Sequence, residues 1–411
     1  GVVAAEIIRK HAPADEIVLV GAEPEPPYSR MAIPYLLTGE IDEAGTHLRK
    51  DPAHFDRLGI RLRTARATAV DAKGGAVSLD DGSRLPFDRL LVATGSVPLR
   101  PPIPGLDLPG VHPCWTLADA RQIMALARPG ARVVQLGAGF IGCIIMEALA
   151  ERGVKLTVVE MGDRMVPRMM GPGAGGMIKR WVEKKGVAVH TSSRIESIAA
   201  GQGAPLEVTL TGGRKVPAEL VIVSAGVQPN VAFLQGSGIA CDRGVMTDAR
   251  MQTNLPGIFA AGDCAEAMDL VTGKPQVSAI QPNAADQAAC AALNMVGRET
   301  RMGGVTVINV LDTLGLVSTS FGQWQGVPGG DHVERTDEAG FKHLRLEFDG
   351  DVLVGANTIG HTEHVGVIRG LIQSRVHLGE WKEHLLRDPT RLAEAYLARA
   401  QAQDRRPGRA A

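Results

Sequence analysis

The chain has 411 residues, 45% hydrophobic and 22% charged, which is ordinary globular composition. At roughly 100–200 residues per domain it is long enough for two or three. Its 44 basic and 45 acidic residues leave a net charge of −1, so nothing draws it to nucleic acid or an anionic bilayer. The apolar run Val133 to Met146 carries no charge, but it is too short for a membrane span and holds three glycines. In GVVAAEIIRK the basic residues follow the apolar ones, the reverse of a secretory signal. Cys114, Cys143, Cys241, Cys264 and Cys290 form no CxxC or CxxxxC pair, which fits a reducing cytoplasm better than a disulfide scaffold. Aromatics make up only 4%, so the core must be built from Ala, Val, Leu and Ile.

In chain order, GVVAAEIIRKHAP reads as a helix with Val2, Ile7 and Ile8 on its apolar side, followed by a strand from Glu16 to Gly21. A helix that opens on glycine predicts a strand and turn lost before residue 1. Residues 59–80 alternate and contain the turns KGG and DDG, which predicts an antiparallel meander. Leu90–Gly95 is a buried strand, and the Pro-rich stretch from Pro98 to Pro109 reads as a connector at a domain boundary. A helix at Leu117–Ala127, a strand at Arg132–Gly137, a helix over 140–152 and a strand at Lys155–Glu160 follow. Then come a helix near 174–186, strands near 187–192 and 206–210, and a strand at Leu220–Gly226. Ile258–Asp263 is a buried strand, and an Ala-rich helix runs from about Asn283 to Val296. This alternation predicts α/β architecture with parallel sheets. From 301 the pattern changes to short strands (Phe341–Phe348, Val352–Ile359) and helices near 363–374 and 390–401, an α+β domain. The tail QAQDRRPGRAA is expected to be disordered.

GAGFIG, Gly137 to Gly142, follows the strand VVQL, opens a helix and is trailed by a second strand ending in an acid. In that context Gly137 permits the tight turn, Gly139 lets backbone approach a pyrophosphate, and Gly142 lets helix and strand pack closely. The phosphates would meet free N–H groups of Phe140 and Ile141 at the positive end of the helix. Glu160 can accept bonds from a ribose 2′-hydroxyl and would repel a 2′-phosphate, which favours NADH. Arg164 lies close enough to keep NADPH open. AAGD, Ala260 to Asp263, puts a carboxylate at the end of a buried strand, where it needs a partner or a ligand. Taken alone it reads equally well as a helix cap.

The ordered set VLVGAEP, PYSR, ATG, GAGFIG, GVQPN and AAGD resembles the pyridine nucleotide-disulfide oxidoreductase family, in which FAD is bound by one Rossmann-like fold and NAD(P)H by a second inserted into it. The resemblance covers about residues 1–300. It implies an FAD domain at 1–112 and 246–300, an NAD(P)H domain at 113–245, a C-terminal domain at 301–400 and a tail at 401–411. Under it, Gly1 is the last glycine of the FAD fingerprint and Glu23 holds the adenosine ribose. Tyr28 and Arg30 lie beside FAD, and Ala93, Thr94 and Gly95 close against it. Gly262 and Asp263 bind a ribityl hydroxyl, and the helix begun at Pro282 points its positive end at the flavin. Gly226, Pro229 and Asn230 match the GxxPN turn of the nicotinamide domain.

One departure shapes the functional expectation. Single-cysteine members of the family carry a cysteine three residues before a Pro-Tyr, and here Met31 stands before Pro34-Tyr35. A thioether forms neither thiolate nor sulfenic acid, so disulfide and cysteine-peroxide chemistry are disfavoured. The segment is closer to rubredoxin and ferredoxin reductases and the FAD portion of nitrite reductases. The resemblance implies hydride transfer from NADH to flavin N5, then electron delivery to a rubredoxin- or ferredoxin-like protein. Oxygen as acceptor, or a nucleotide-binding redox sensor, are the alternatives, and a homodimer is compatible with the family. No catalytic side chain and no metal are assigned. Cys264 and Cys143 read as packing residues, His361-x-Glu363-His364 lacks the further ligands of a metal site, and Trp324 reads as a flavin cover or a plain packing residue.

Overall fold

A computed structural model describes residues 1–404, with side chains through residue 399. The chain forms two compact units. The first comprises residues 1–32, 41–98 and 227–306; the second comprises 33–40, 99–226 and the chain from 307. Around the nucleotide-binding segment the chain crosses between units at 98/99 and 226/227, both earlier than the 112/113 and 245/246 expected from sequence.

In the first unit, helix Val2–His11 leads into strand Ile17–Gly21, which pairs in parallel with Ile60–Thr64. The expected meander over 59–80 is thus divided: Ile60–Thr64 joins the parallel pair, and the meander runs through Ala67–Asp71, Ala76–Leu79 and Arg84–Pro86. Ile60 decides this by packing with Ala5, Ile17 and Phe55, a tertiary contact that alternation in IRLRT cannot reveal. Ile258–Ala260 pairs in parallel with Leu90–Val92, Ala260 opposite Val92, so the turns after both strands emerge side by side. Helix Gln281–Met295 packs its Ala288 and Ala292 against Ala4 and Ala261, with small residues permitting close approach. Residues 227–245 belong here because Leu234, Ile239 and Val245 enter the same core as Val92 and Ile258. The antiparallel pair Ser96–Pro98 and Val227–Pro229 closes the unit.

The second unit holds a five-stranded parallel sheet in the order Ala188–His190, Lys155–Val159, Arg132–Leu136, Leu220–Val223, Val111–Pro113. Its central strands are apolar and buried, as a sheet covered on both faces requires. The chain leaves Arg132–Leu136 toward Lys155–Val159 on one side and returns at Leu220–Val223 on the other. That reversal opens the crevice at the strands' carboxyl ends where open α/β sheets bind ligands. The Pro-rich stretch is no loose linker: Ile103, Leu106 and Leu108 pack on the core of Val134, Leu206 and Val221.

The same unit contains a five-stranded antiparallel sheet in the order Ile308–Thr313, Leu316–Gly322, Val352–Ile359, Lys342–Asp349, Asp331–Asp337. The two strands expected from sequence are its buried centre; the other three were not foreseen. Helices Val365–Gln373, Trp381–Arg387 and Leu392–Asp404 complete it. The last helix reaches beyond 401, so the expected disordered tail does not begin there. The rest of that tail lies outside the described residues. Among the described residues no helix is long and apolar enough to cross a membrane. Phe348 is fully buried in the antiparallel sheet. Phe348→Ala should lower the unfolding free energy by about 3–5 kcal/mol, read as a fall in denaturant midpoint; a loss under about 1 kcal/mol, the level of an ordinary substitution, would place this side chain outside the core's main contacts.

Candidate dinucleotide-binding sites

In the second unit the chain turns sharply at the end of Arg132–Leu136. Gly137 has φ 98°, and a Cβ there would stand 2.4 Å from the Ser224 carbonyl oxygen. At Gly142 a Cβ would stand 2.6 Å from the Gly137 oxygen. Both positions therefore demand glycine. Gly139 caps helix Phe140–Glu151, and nothing within 4 Å obstructs approach to it. The first-turn N–H groups of Phe140 and Ile141 have no partner inside the helix and suit an anion such as a pyrophosphate.

Sequence reasoning missed what holds this loop. Gln135, fully buried, donates through Nε2 to the Gly137 and Gly142 carbonyls, both at 2.9 Å, tying the loop's two ends together. Ser224 Oγ donates to the Leu136 carbonyl at 2.8 Å. The only signal for Gln135 was an amide inside an otherwise apolar strand. Glu160 is 8% exposed; its Oε2 accepts the Ala138 N–H at 2.8 Å and its Oε1 the Gly162 N–H at 2.6 Å. The expected ribose acceptor thus also braces the phosphate loop, and a carboxylate keeps further acceptor positions on each oxygen. Arg164 donates through Nε to the Met170 carbonyl at 2.9 Å and through Nη1 to Asp163 at 2.7 Å. It is anchored within its own loop, which weakens the case for a 2′-phosphate partner. Gly226, φ 109°, receives the Leu99 N–H on its carbonyl at 2.9 Å and forms the crossover turn.

In the first unit the parallel pairing sets Thr94-Gly95 beside Gly262-Asp263. Gly95 (φ 65°) and Gly262 (φ 84°) make the turns, with Ala93 leading into the first. Thr94 Oγ1 donates to the Asn230 carbonyl at 2.7 Å, and the Asn230 N–H donates to the Gly95 carbonyl at 2.9 Å, clasping the two motifs. Burial raises the Asp263 carboxyl above its usual range, and the Ser96 hydroxyl (2.9 Å), its own backbone N–H and the charge of Arg30 offset only part of that. A ligand hydroxyl there would supply a missing donor, so the residues fit the ribityl chain of FAD. Gln287, also missed, accepts the Gly262 N–H on Oε1 at 2.6 Å; its buried Nε2 has no partner among the described residues. Pro282 is the second residue of helix Gln281–Met295. Glu23 accepts from Tyr28 Oη and from Arg30 Nη2, each at 2.5 Å, in a triad at the end of strand Ile17–Gly21. At Gly1 a Cβ would meet Leu19 at 3.0 Å, so the helix start and the strand approach closely there.

The remaining candidates have ordinary surroundings. Cys264 is buried, within 3.3 Å of the Val92 and Ala261 carbonyls. The Cys143 thiol is pushed up to about 12 by burial. His361 stands 3.5 Å from Glu363. Met31 is 52% exposed.

A glycine-turned phosphate loop at the switch point of a parallel sheet in one unit, and a buried Gly-Asp turn in the other, define an oxidoreductase with two dinucleotide folds. The chain matches the pyridine nucleotide-disulphide oxidoreductase family over residues 1–288 and belongs to it. It is 31% identical over 389 residues to the NADH-dependent phenylglyoxylate dehydrogenase subunit epsilon of Aromatoleum evansii, covering 93% of this chain and 91% of that protein. It is 32% identical over 311 residues to an NADH oxidase of Methanocaldococcus jannaschii, covering 73% and 69%. The ferredoxin reductase for the CYP199A2 system from Rhodopseudomonas palustris shares the fold with a TM-score of 0.80 at 25% identity, covering 89% of this chain and 90% of that one. The chain is an FAD-dependent NAD(P)H oxidoreductase of the rubredoxin/ferredoxin-reductase type. Gly137→Ala should weaken NADH binding by about tenfold or more, since forcing a side chain into this turn costs about 1–3 kcal/mol. Titration with FAD content monitored checks this; unchanged affinity would rule out the loop as the nucleotide site.

Proposed function

We propose that this protein carries electrons from NADH through FAD to an iron–sulfur protein such as a rubredoxin or ferredoxin. The observation that carries the acceptor is Met31, a thioether where single-cysteine relatives place a thiol, which leaves no redox sulfur to hand electrons to a disulfide or peroxide. Similarity to a ferredoxin reductase supports it, as does the nearly full-length match to a subunit of an NADH-dependent dehydrogenase.

When bound, FAD supplies the two-electron acceptance of hydride and the release of electrons singly. The protein's part is binding and orientation. The amides that open helix Phe140–Glu151 hold the pyrophosphate, and Glu160 holds the ribose while excluding a 2′-phosphate. Asp263 fixes a hydroxyl of the ribityl chain, and Ser96 and Gln287 hold Asp263 and Gly262 in place. The partial positive charge at the start of helix Gln281–Met295 favours negative charge on a reduced ring. The unpaired cysteines suggest the cytoplasm as its location. Oxygen as acceptor is the second reading, favoured by the similarity to an NADH oxidase.

Anaerobic NADH should bleach the visible flavin absorbance without a thiolate charge-transfer band. Reoxidation followed by stopped flow should be faster with rubredoxin or ferredoxin than with oxygen; the opposite order would replace the carrier with oxygen. NADH should be preferred over NADPH by about tenfold or more in kcat/KM, the effect of one unfavourable charged contact of about 1.4 kcal/mol or more.

A further inference from the structure

Asn357 sits in the fully buried central strand Val352–Ile359 of the C-terminal sheet and is itself 1% exposed. Its side chain does not serve that sheet alone. Oδ1 accepts the Gly171 N–H at 3.0 Å, and Nδ2 donates to the Met169 carbonyl at 3.0 Å. The amide thereby grips both sides of Met170, much as a neighbouring strand would. Met169 and Met170 belong to the loop that follows Glu160 in the nucleotide-binding fold.

From there a ladder of hydrogen bonds leads to the phosphate loop. The Met169 and Met170 N–H groups both donate to the Val166 carbonyl at 2.9 Å. The Val166 N–H donates to the Ala138 carbonyl at 2.8 Å, and the Ala138 N–H donates to Glu160 Oε2 at 2.8 Å. Ala138 is the second residue of GAGFIG. Val166, buried, has φ 48°, a conformation a β-branched residue adopts only when its surroundings impose it. The imposing contacts are Ala138 on one side and the Asn357-held segment on the other.

We propose that Asn357 is a positioning residue for the nicotinamide dinucleotide: by fixing loop 161–171 it sets, through Val166, the Ala138 peptide and the Glu160 carboxylate, so that the C-terminal sheet controls NADH affinity. This rests on the NADH reading given above. Replacing the amide with an apolar side chain leaves the half-buried Gly171 N–H and the carbonyl of buried Met169 without their partner, and the loop relaxes to satisfy them.

The test compares wild type with Asn357→Asp, which is isosteric and keeps the acceptor while losing the donor, and with Asn357→Leu, which loses both. NAD+ affinity is measured by calorimetric titration of the purified holoprotein, alongside FAD content, KM and kcat for NADH with an artificial acceptor, and amide exchange at Val166. The expected result is NAD+ affinity weaker by about tenfold in Asn357→Leu and by less in Asn357→Asp. KM should rise in step, the Val166 amide should exchange faster, and kcat at saturating NADH and FAD content should stay within about twofold of wild type, below the tenfold step of 1.4 kcal/mol. Unchanged affinity in folded variants overturns the proposal. So does a fall of FAD content and kcat together with affinity, or failure of even Asn357→Asp to fold, because Asn357 would then be a general structural residue. A wild type that does not bind NAD+ removes the nicotinamide reading and this proposal with it; wild-type binding with unaltered variants removes this proposal alone.

Discussion

A turn that offers its N–H groups to a ligand cannot use them to hold itself together. The GAGFIG turn faces that constraint, and both glycine turns of this protein are braced from behind by polar side chains. At GAGFIG the carbonyls are tied by Gln135 and Ser224, and the Ala138 N–H by Glu160. At Gly262-Asp263 the bracing comes from Gln287 and Ser96. Gln135, Glu160, Gln287 and Ser96 are buried and Ser224 is half-buried, and in such surroundings a hydrogen bond is stronger and a missing partner costs more. In the proposed function, the amides of Phe140 and Ile141 and the carboxylate of Asp263 then meet the ligand from fixed positions.

The scaffold behind the turns follows from the scarcity of aromatics. With few large side chains, close packing depends on alanine and glycine at element crossings, as where Ala4, Ala261, Ala288 and Ala292 bring two helices and a strand together. Close crossings of this kind bring the strand end and the helix start into register, so the residues that pack the fold also aim the turns. The fully buried strand Val352–Ile359 extends this logic: a single amide in an apolar element is directed at backbone outside its own sheet.

The charges divide into two roles. Glu160, buried, and Asp263, half-buried, are carboxylates at strand ends, one satisfied by two backbone N–H groups and the other raised above its usual range by desolvation. Arg164 bonds within its own loop, and Glu23 accepts from Tyr28 and Arg30. In the proposed function, this division favours a ribose hydroxyl over an added phosphate at Glu160. Met31 puts a thioether where single-cysteine relatives carry a thiol, and a thioether forms neither thiolate nor sulfenic acid.

Local pattern in the sequence determined the parallel strands, the glycine turns, the helices that follow them and the acids at strand ends, because each is set by residues within one or two turns of one another. Gly137, Gly142, Asp263 and the helix at 281–295 were legible for that reason. Strand partners and long-range anchors were decided only by tertiary structure. Ile60–Thr64 alternates like a meander strand, yet Ile17 and Phe55 draw Ile60 into a parallel pair. The Pro-rich stretch looks like a linker until Ile103 and Leu108 are seen in a core. The strand at 308–313 mixes buried and exposed polar residues, that at 316–322 buries Ser318, Thr319 and Ser320, and that at 331–337 is exposed almost throughout, so periodicity alone did not mark them. Gln135, Gln287 and Asn357 stood out in the chain only as amides among apolar or small residues; which backbone groups they hold depends on segments 2 to 188 residues away, and a hydrogen bond across such a distance exists only once the chain has folded.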